Sequence, residues 1–200
     1  MIVVVDYEAG NLRSVETALE HIGAEFEITA DPDRVRSADR IVFPGVGDGA
    51  HAMRILAERG LDGAMKDRFE ADIPILGICV GCQIVLEMTE ERNARCLGLV
   101  PGAAKRFPPE SGKVPHMGWN SVHYRDDHWL FSGIPQDSSF YFVHSYYPAP
   151  EDERDVIAWS EYGSSFAAAI ERGNLVATQF HPEKSGHVGI QLLRNFVEAE

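Results

Sequence analysis

The sequence predicts an α/β protein built on a doubly wound, mostly parallel sheet. Two observations carry that prediction. Over the first ninety residues, β-branched runs alternate with stretches whose apolar residues recur at helical spacing, the order that builds βαβ units. The apolar runs Ile2–Val5 and Ile75–Ile78 are unbroken rather than alternating, as strands are when crossover helices cover both faces.

Each element has its own local warrant. Met1–Asp6 reads as the first strand, and Glu8-Ala9-Gly10-Asn11 turns the chain. Leu12, Val15, Leu19 and Ile22 then recur at helical spacing, with Asn11 placed as N-cap and Gly23 as the stop. Glu25–Thr29 alternates like a strand, and Arg40–Phe43 is a third strand closed by Pro44-Gly45-Val46-Gly47. A helix from about Asp48 to Arg59 follows, with Met53 and Leu56 inward and Gly60 past its end. After a further helical stretch, Pro74–Ile78 is a strand and Gly81–Met88 a helix.

From about Gly98 the signal changes to short β-type runs. These are Lys113–Tyr124, Ser139–Val143, Val156–Trp159, Ser165–Ile170 and Leu175–Phe180, separated by Gly, Pro and Asp clusters. The last stretch, Val188–Ala199, is helical, with Ile190, Leu193 and Val197 on one face. No repeat, low-complexity tract or long linker divides the chain, so a single domain over residues 1–200 is expected.

Composition narrows the function. At 44% hydrophobic residues the chain is too apolar to stay unfolded, and 200 residues suffice for a full core. A net charge of −13, with 18 basic residues scattered among 31 acidic ones, argues against nucleic-acid binding. No apolar run approaches the ~20 residues of a membrane span. Asp6 and Glu8 interrupt the apolar start, so no export signal is expected. Three cysteines make no disulfide framework and read as reduced thiols in the cytoplasm.

The sharpest local feature is Gly77-Ile78-Cys79-Val80-Gly81, between a buried strand and a helix. A nucleophile on a tight strand-to-helix turn needs small residues two positions to either side, because the backbone packs closely there. The free N–H groups and dipole of the following helix favour a thiolate, and the Val80 N–H would supply half of an oxyanion hole. The plainer reading makes Cys79 a small buried hydrophobe between packing glycines. A second feature, His181-Pro182-Glu183, follows the run Leu175–Phe180. Residues two apart in extended chain point the same way, which sets Glu183 beside the His181 ring as an orienting carboxylate. Alone, such a tripeptide is usually just a loop. Together, a thiol and a His/Glu pair at the ends of two sheet strands would meet where open α/β sheets place their sites.

Cys79 and Cys82 also form a C-x-x-C, which a thioredoxin-like redox site or half of a zinc site would use. No second C-x-x-C or closely spaced His pair completes four metal ligands. The redox reading leaves Gly77, Gly81 and His-Pro-Glu unexplained. Pro44-Gly45-Val46-Gly47 is a weaker signal; its glycines would let backbone N–H groups turn toward a ligand.

With these residues in view, the sequence resembles the class I (triad) glutamine amidotransferases. Within them it is most similar to the amidotransferase subunits of imidazole glycerol phosphate synthases, of histidine biosynthesis. The resemblance rests on Gly77-Ile-Cys-Val-Gly-Cys-Gln83 and Gln179-Phe-His-Pro-Glu-Lys-Ser185. Asp6-Tyr7, Gly10-Asn11-Leu12, Pro44-Gly-Val-Gly47, His116-Met-Gly-Trp-Asn120 and Tyr141-Phe-Val-His-Ser-Tyr146 add to it, so that it spans nearly the whole chain. It implies a flavodoxin-like three-layer α/β/α fold with antiparallel strands added in the C-terminal half.

The implied activity is glutamine hydrolysis without metal or cofactor, with Cys79, His181 and Glu183 as the catalytic triad. Val80, Val46 and Gly47 would form the oxyanion hole, and Gly45, Gln83, Glu91, Ser145 and Tyr146 would bind glutamine. The implied partner is a (β/α)8 barrel cyclase subunit in a heterodimer, which takes up the ammonia, with Asn11, Trp119 and Lys184 at the interface. Two positions depart from the usual pattern. Cys82 stands where Met is common, which leaves a Cys79–Cys82 disulfide open, and Val80 stands where Leu is common. An amidotransferase for another acceptor, a free-standing γ-glutamyl hydrolase and a catalytically silent regulatory module are the rival readings.

Overall fold

The computed structural model describes residues 1–8 and 11–199. The first half alternates as the sequence predicts. Strand β1 (Ile2–Val5) leads to α1 (Leu12–His21), β2 (Phe26–Thr29), the short α2 (Pro32–Arg36) and β3 (Arg40–Gly45). Then come α3 (Gly49–Arg59), α4 (Leu61–Glu70), β4 (Ile75–Cys79) and α5 (Val80–Ile84). Asp48 caps α3 by accepting the His51 N–H at 2.9 Å, and Gly60 ends that helix in the left-handed region, as a residue without Cβ can.

The second half is mostly strands: β5 (Leu86–Thr89), β6 (Ala94–Arg95), β7 (Val100–Arg106), β8 (His116–Tyr124), β9 (Ser138–His144) and β10 (Tyr146–Pro150). Strands β11 (Val156–Glu161), β12 (Ser165–Arg172) and β13 (Leu175–Thr178) precede the closing α6 (Gly186–Glu198). One nine-stranded sheet runs β2-β1-β3-β4-β13-β12-β11-β8-β9. Its neighbours are parallel from β2 to β13 and antiparallel from β13 to β9. A four-stranded sheet, β10-β7-β5-β6, lies beside it. The chain crosses from one sheet to the other at Ser145, between β9 and β10.

Several expectations need correction. Asn11 does not cap α1: it sits at φ 64° with no capping bond, because its side chain turns to Glu183 instead. The stretch expected as one helix to Met88 is helical only to Ile84. Leu86–Thr89 pairs with β7 and β6, and those cross-strand partners override the local helical pattern. The inward face of α6 is Val188, Leu192, Leu193 and Phe196; of the expected trio only Leu193 is buried, while Ile190 and Val197 lie at its margin. On α3 the buried face is Ala52, Ile55 and Leu56, with Met53 partly covered. Ala9 and Gly10 of the expected turn lie outside the described residues.

Parallel strands β1, β4 and β13 are buried along their whole length and form the centre of the core. Among the described residues no helix is long and apolar enough to cross a membrane.

Candidate active site

Two glycines force the shape of the β4–α5 turn. A Cβ on Gly81 would lie 2.0 Å from the Phe43 carbonyl oxygen, and one on Gly77 would lie 3.0–3.1 Å from Ala177 and the Gly81 backbone. Small residues are therefore required on both sides of Cys79, where strand and helix touch. Cys79 itself adopts φ 55°, ψ −105°, a backbone strain of the kind that concentrates at functional turns. Val80 opens α5, so its N–H belongs to the first turn and has no helical acceptor. Gly45, the register partner of Cys79 on β3, is also packed tight: a Cβ there would strike the Tyr7 hydroxyl.

His181 and Glu183 meet Cys79 from the segment after β13. Pro182–Lys184 form a 3-10 turn rather than the extended chain expected, and it is this turn that brings the Glu183 carboxylate to the ring. His181 Nδ1 lies 2.7 Å from Glu183 Oε1, and both side chains are almost completely buried. Asn11 Nδ2 donates to the same carboxylate oxygen. The other ring nitrogen, Nε2, is buried with no hydrogen-bond partner among the described residues. Burial alone would pull the His181 pKa down. The nearby Cys79 sulfur, with the hydrogen bond and negative charge of Glu183, outweighs it, and the pKa is pushed up to about 10. The pair thus favours an imidazolium facing the sulfur, with Glu183 fixing the ring by its far nitrogen.

A cavity of about 220 Å³ opens beside the thiol, lined by Cys79, Val80, Val46, Gly47, Gln83, Glu91, Pro115, Val143, His144, Ser145 and Tyr146. That is small even for a ligand pocket and suits an amino acid. Gly47 sits at φ 91°, a left-handed conformation that glycine adopts without Cβ strain. Glu91 accepts the Gly49 N–H at 2.7 Å, and burial raises its pKa against that bond. Larger hollows elsewhere, such as one of about 570 Å³ by Arg40 and Trp129, lie away from the thiol.

Of the residues singled out in the sequence, Cys79, Val80, Val46, Gly47, Gln83, Glu91, Ser145 and Tyr146 line this one cavity. Gly45 is not among the lining residues and packs closely against the Tyr7 hydroxyl. Asn11 reaches the buried carboxylate, whereas Lys184 and Trp119 are exposed, Trp119 at 59%. Trp119 stands edge-on to Tyr141, whose ring lies 6.5 Å from His181. Cys82 is fully buried on the core side of α5, and burial pushes its thiol pKa up. Cys79, Cys82 and Cys96 are all free thiols. Among the described residues, no three His, Cys, Asp or Glu side chains cluster as metal ligands do.

Sequence reasoning missed Gln179 and His144. Gln179 Nε2 lies 3.7 Å from Cys79 Sγ, and its Oε1 accepts from Gln83 Nε2 at 3.0 Å. Residues 179 and 180 form a bend just after β13, so no strand alternation marked Gln179 in the sequence.

The class-I glutamine amidotransferase sequence profile matches residues 3–199. The chain belongs to that family. Among curated relatives of the amidotransferase, the imidazole glycerol phosphate synthase subunit HisH of Methylococcus capsulatus is 50% identical, covering 100% of this chain and 96% of the relative. The protein of the same name from Dehalococcoides mccartyi is 46% identical over 98% of this chain and 96% of its own. The amidotransferase fold is shared with PurLQS from Thermotoga maritima (TM-score 0.77, 20% identity, 98% and 96% of the two chains). It is shared also with a glutamine amidotransferase from Thermotoga maritima (TM-score 0.72, 16% identity, 99% and 98%). The amidotransferase is accordingly an enzyme of the glutaminase class.

Proposed function

We propose that the chain is the glutaminase subunit of an imidazole glycerol phosphate synthase. On this reading it hydrolyses glutamine and passes the ammonia to a (β/α)8 barrel cyclase subunit, in a step of histidine biosynthesis. The single observation that carries the chemistry is the convergence of Cys79, at the start of α5, with the buried His181–Glu183 pair beside one small cavity. The acceptor pathway is supported by the two HisH relatives, which match end to end at 46–50% identity.

In the first half-reaction the Cys79 thiolate attacks the side-chain amide carbon of glutamine. The carbonyl π electrons move to oxygen, and the Val80 N–H with a donor from the Val46–Gly47 loop holds that oxyanion. His181 gives its proton to the amide nitrogen, the C–N bond breaks, and ammonia leaves a glutamyl thioester. In the second half-reaction neutral His181 takes a proton from water. The hydroxide adds to the thioester, the C–S bond breaks, and glutamate and the Cys79–His181 ion pair are restored. Glu183 keeps Nδ1 protonated so that Nε2 performs both transfers.

Glu91 supplies the negative charge that the substrate ammonium requires, and Ser145 and Tyr146 form the facing wall. Gln83 meets substrate through its oxygen, because its amide N–H groups are engaged by the Tyr146 carbonyl and by Gln179, each at 3.0 Å. Exposed Trp119 and Lys184 belong to the cyclase-facing surface, and Asn11 links that side to Glu183. In the resting loop Gly47 is at φ 91°. Turning its peptide toward the cavity completes the oxyanion hole, the step through which the cyclase governs activity.

Glutamate release from glutamine tests the proposal, measured with the chain alone and with the barrel cyclase plus its phosphoribulosyl substrate. Release that depends on the partner and falls roughly 10⁵-fold or more in Cys79→Ala is expected. Equal release without any partner would indicate a free-standing glutaminase or γ-glutamyl hydrolase.

A further inference from the structure

The nucleophile has a neighbour to which the triad assigns no role. Gln179 is fully buried, directly after β13, with its amide nitrogen 3.7 Å from Cys79 Sγ. An amide can be turned either way, but here one backbone atom fixes the direction. The Tyr146 carbonyl oxygen can only accept, and it takes a hydrogen bond from Gln83 Nε2 at 3.0 Å and from His144 Nδ1 at 2.7 Å. Gln83 must therefore present its second N–H to Gln179, whose contacting atom is then the oxygen. The NH₂ group of Gln179 is left facing the sulfur. His144, with its proton on Nδ1, accepts at Nε2 from His116 Nδ1 at 2.9 Å, so the same direction extends back to β8.

We infer that Gln179 is a further catalytic residue of the glutaminase: its N–H holds the Cys79 thiolate in place, and Gln83 locks that N–H toward the sulfur. Gln179 is suited to this because it cannot titrate and stays a donor whatever the state of His181. The bond is absent from a neutral thioester and strongest on the anion, so it favours both the attacking thiolate and its return as leaving group. Gln83 thereby acts as a positioning residue as well as part of the cavity wall. The inference rests on Cys79 being the nucleophile, as proposed above.

Iodoacetamide alkylation of Cys79 at neutral pH, followed by peptide mass mapping, tests the bond. Thiolate ultraviolet absorbance, read against Cys79→Ala, and thermal unfolding are recorded for each variant. In Gln179→Leu the alkylation rate should fall about tenfold with a matching loss of thiolate absorbance, the size expected for one charge-assisted hydrogen bond. Gln83→Leu, which only frees the donor to turn, should lower the rate by about threefold. The double variant should be no slower than Gln179→Leu alone, because both changes break one interaction. Should Gln179→Leu not fold, Gln179→Glu keeps the shape and puts a carboxylate by the sulfur, and should lower thiolate absorbance further. A folded Gln179 variant with wild-type alkylation and absorbance, or losses that multiply in the double variant, would overturn the inference. A wild-type Cys79 no more reactive than a free thiol would instead overturn the nucleophile assignment.

Discussion

The two halves of the large sheet do different work at the site. The parallel half, β2-β1-β3-β4-β13, brings the reactive groups, since Cys79 ends β4 and His181 and Glu183 follow β13. The antiparallel half and the small sheet bring the opposite wall, Val143 to Tyr146, where the chain changes sheets. Strands β1, β4 and β13 of that half are buried on both faces. Strands β8 and β9 instead alternate between buried and open positions, and β8 leaves Met117 and Trp119 exposed at 62% and 59%. The thiol and the His/Glu pair thus stand on the parallel half, and the facing wall and the exposed Met117 and Trp119 on the antiparallel half.

The largest effect expected from breaking the parallel half is on the carboxylate. In Glu183→Gln the buried imidazolium loses its counter-charge, and partner-stimulated kcat should drop roughly 10³–10⁴-fold with a smaller change in KM. Steady-state glutamate release checks this; a drop below tenfold would remove Glu183 from the mechanism. Next comes the turn itself. A methyl group at position 81 meets the Phe43 carbonyl with no flexible side chain to yield, so Gly81→Ala should cost about 3 kcal/mol in urea unfolding. Gly118→Ala in β8 meets nothing, and only its φ of 139° opposes it, so its cost should be clearly smaller.

The histidines of the two regions sharpen the contrast because their pH responses run opposite ways. Burial pulls His116 down to about 4 and His144 to about 3, from an ordinary value of 6.5. Folded values below the unfolded one mean that their stability is complete above pH 6.5 and is lost as pH falls through 4 and then 3. The pKa of His181 is raised to about 10, so its contribution is complete below pH 6.5 and is lost as pH rises through 10. In unfolding measured against pH, His116→Phe should flatten the acid limb and leave the alkaline limb unchanged. The smallest effect on stability belongs to the surface. Trp119→Ala should change unfolding by under about 0.5 kcal/mol while weakening cyclase binding, which titration calorimetry would read.

How much of this the sequence discloses also divides at the sheet. The parallel strands were legible because Ile2–Val5 and Ile75–Ile78 are continuous apolar runs with glycine punctuation. Strands β7 and β10 were not. Val100–Arg106 carries Pro101 and Gly102, and Tyr146–Pro150 carries Pro148 and Pro150, which local reading takes as loop. Prolines are tolerated in β10 because it is the edge of its sheet. Likewise the triad stood out through Gly77, Gly81 and the 181–183 spacing, whereas Gln179 becomes visible only when β13 sets it beside β4. Asn11 reads as a cap from its place before a helix, and only the fold shows a buried carboxylate claiming its amide.

Labelling with a chloroketone analogue of glutamine, in the presence of the cyclase subunit, joins both halves in one readout. The γ-carbonyl side of the reagent needs Cys79, and its amino-acid end needs the wall from Glu91 to Tyr146. A single adduct at Cys79 is predicted, slowed at least tenfold in Glu91→Gln, while iodoacetamide still reacts with that variant at the wild-type rate. An adduct at Cys82 or Cys96, or labelling indifferent to Glu91, would contradict the account.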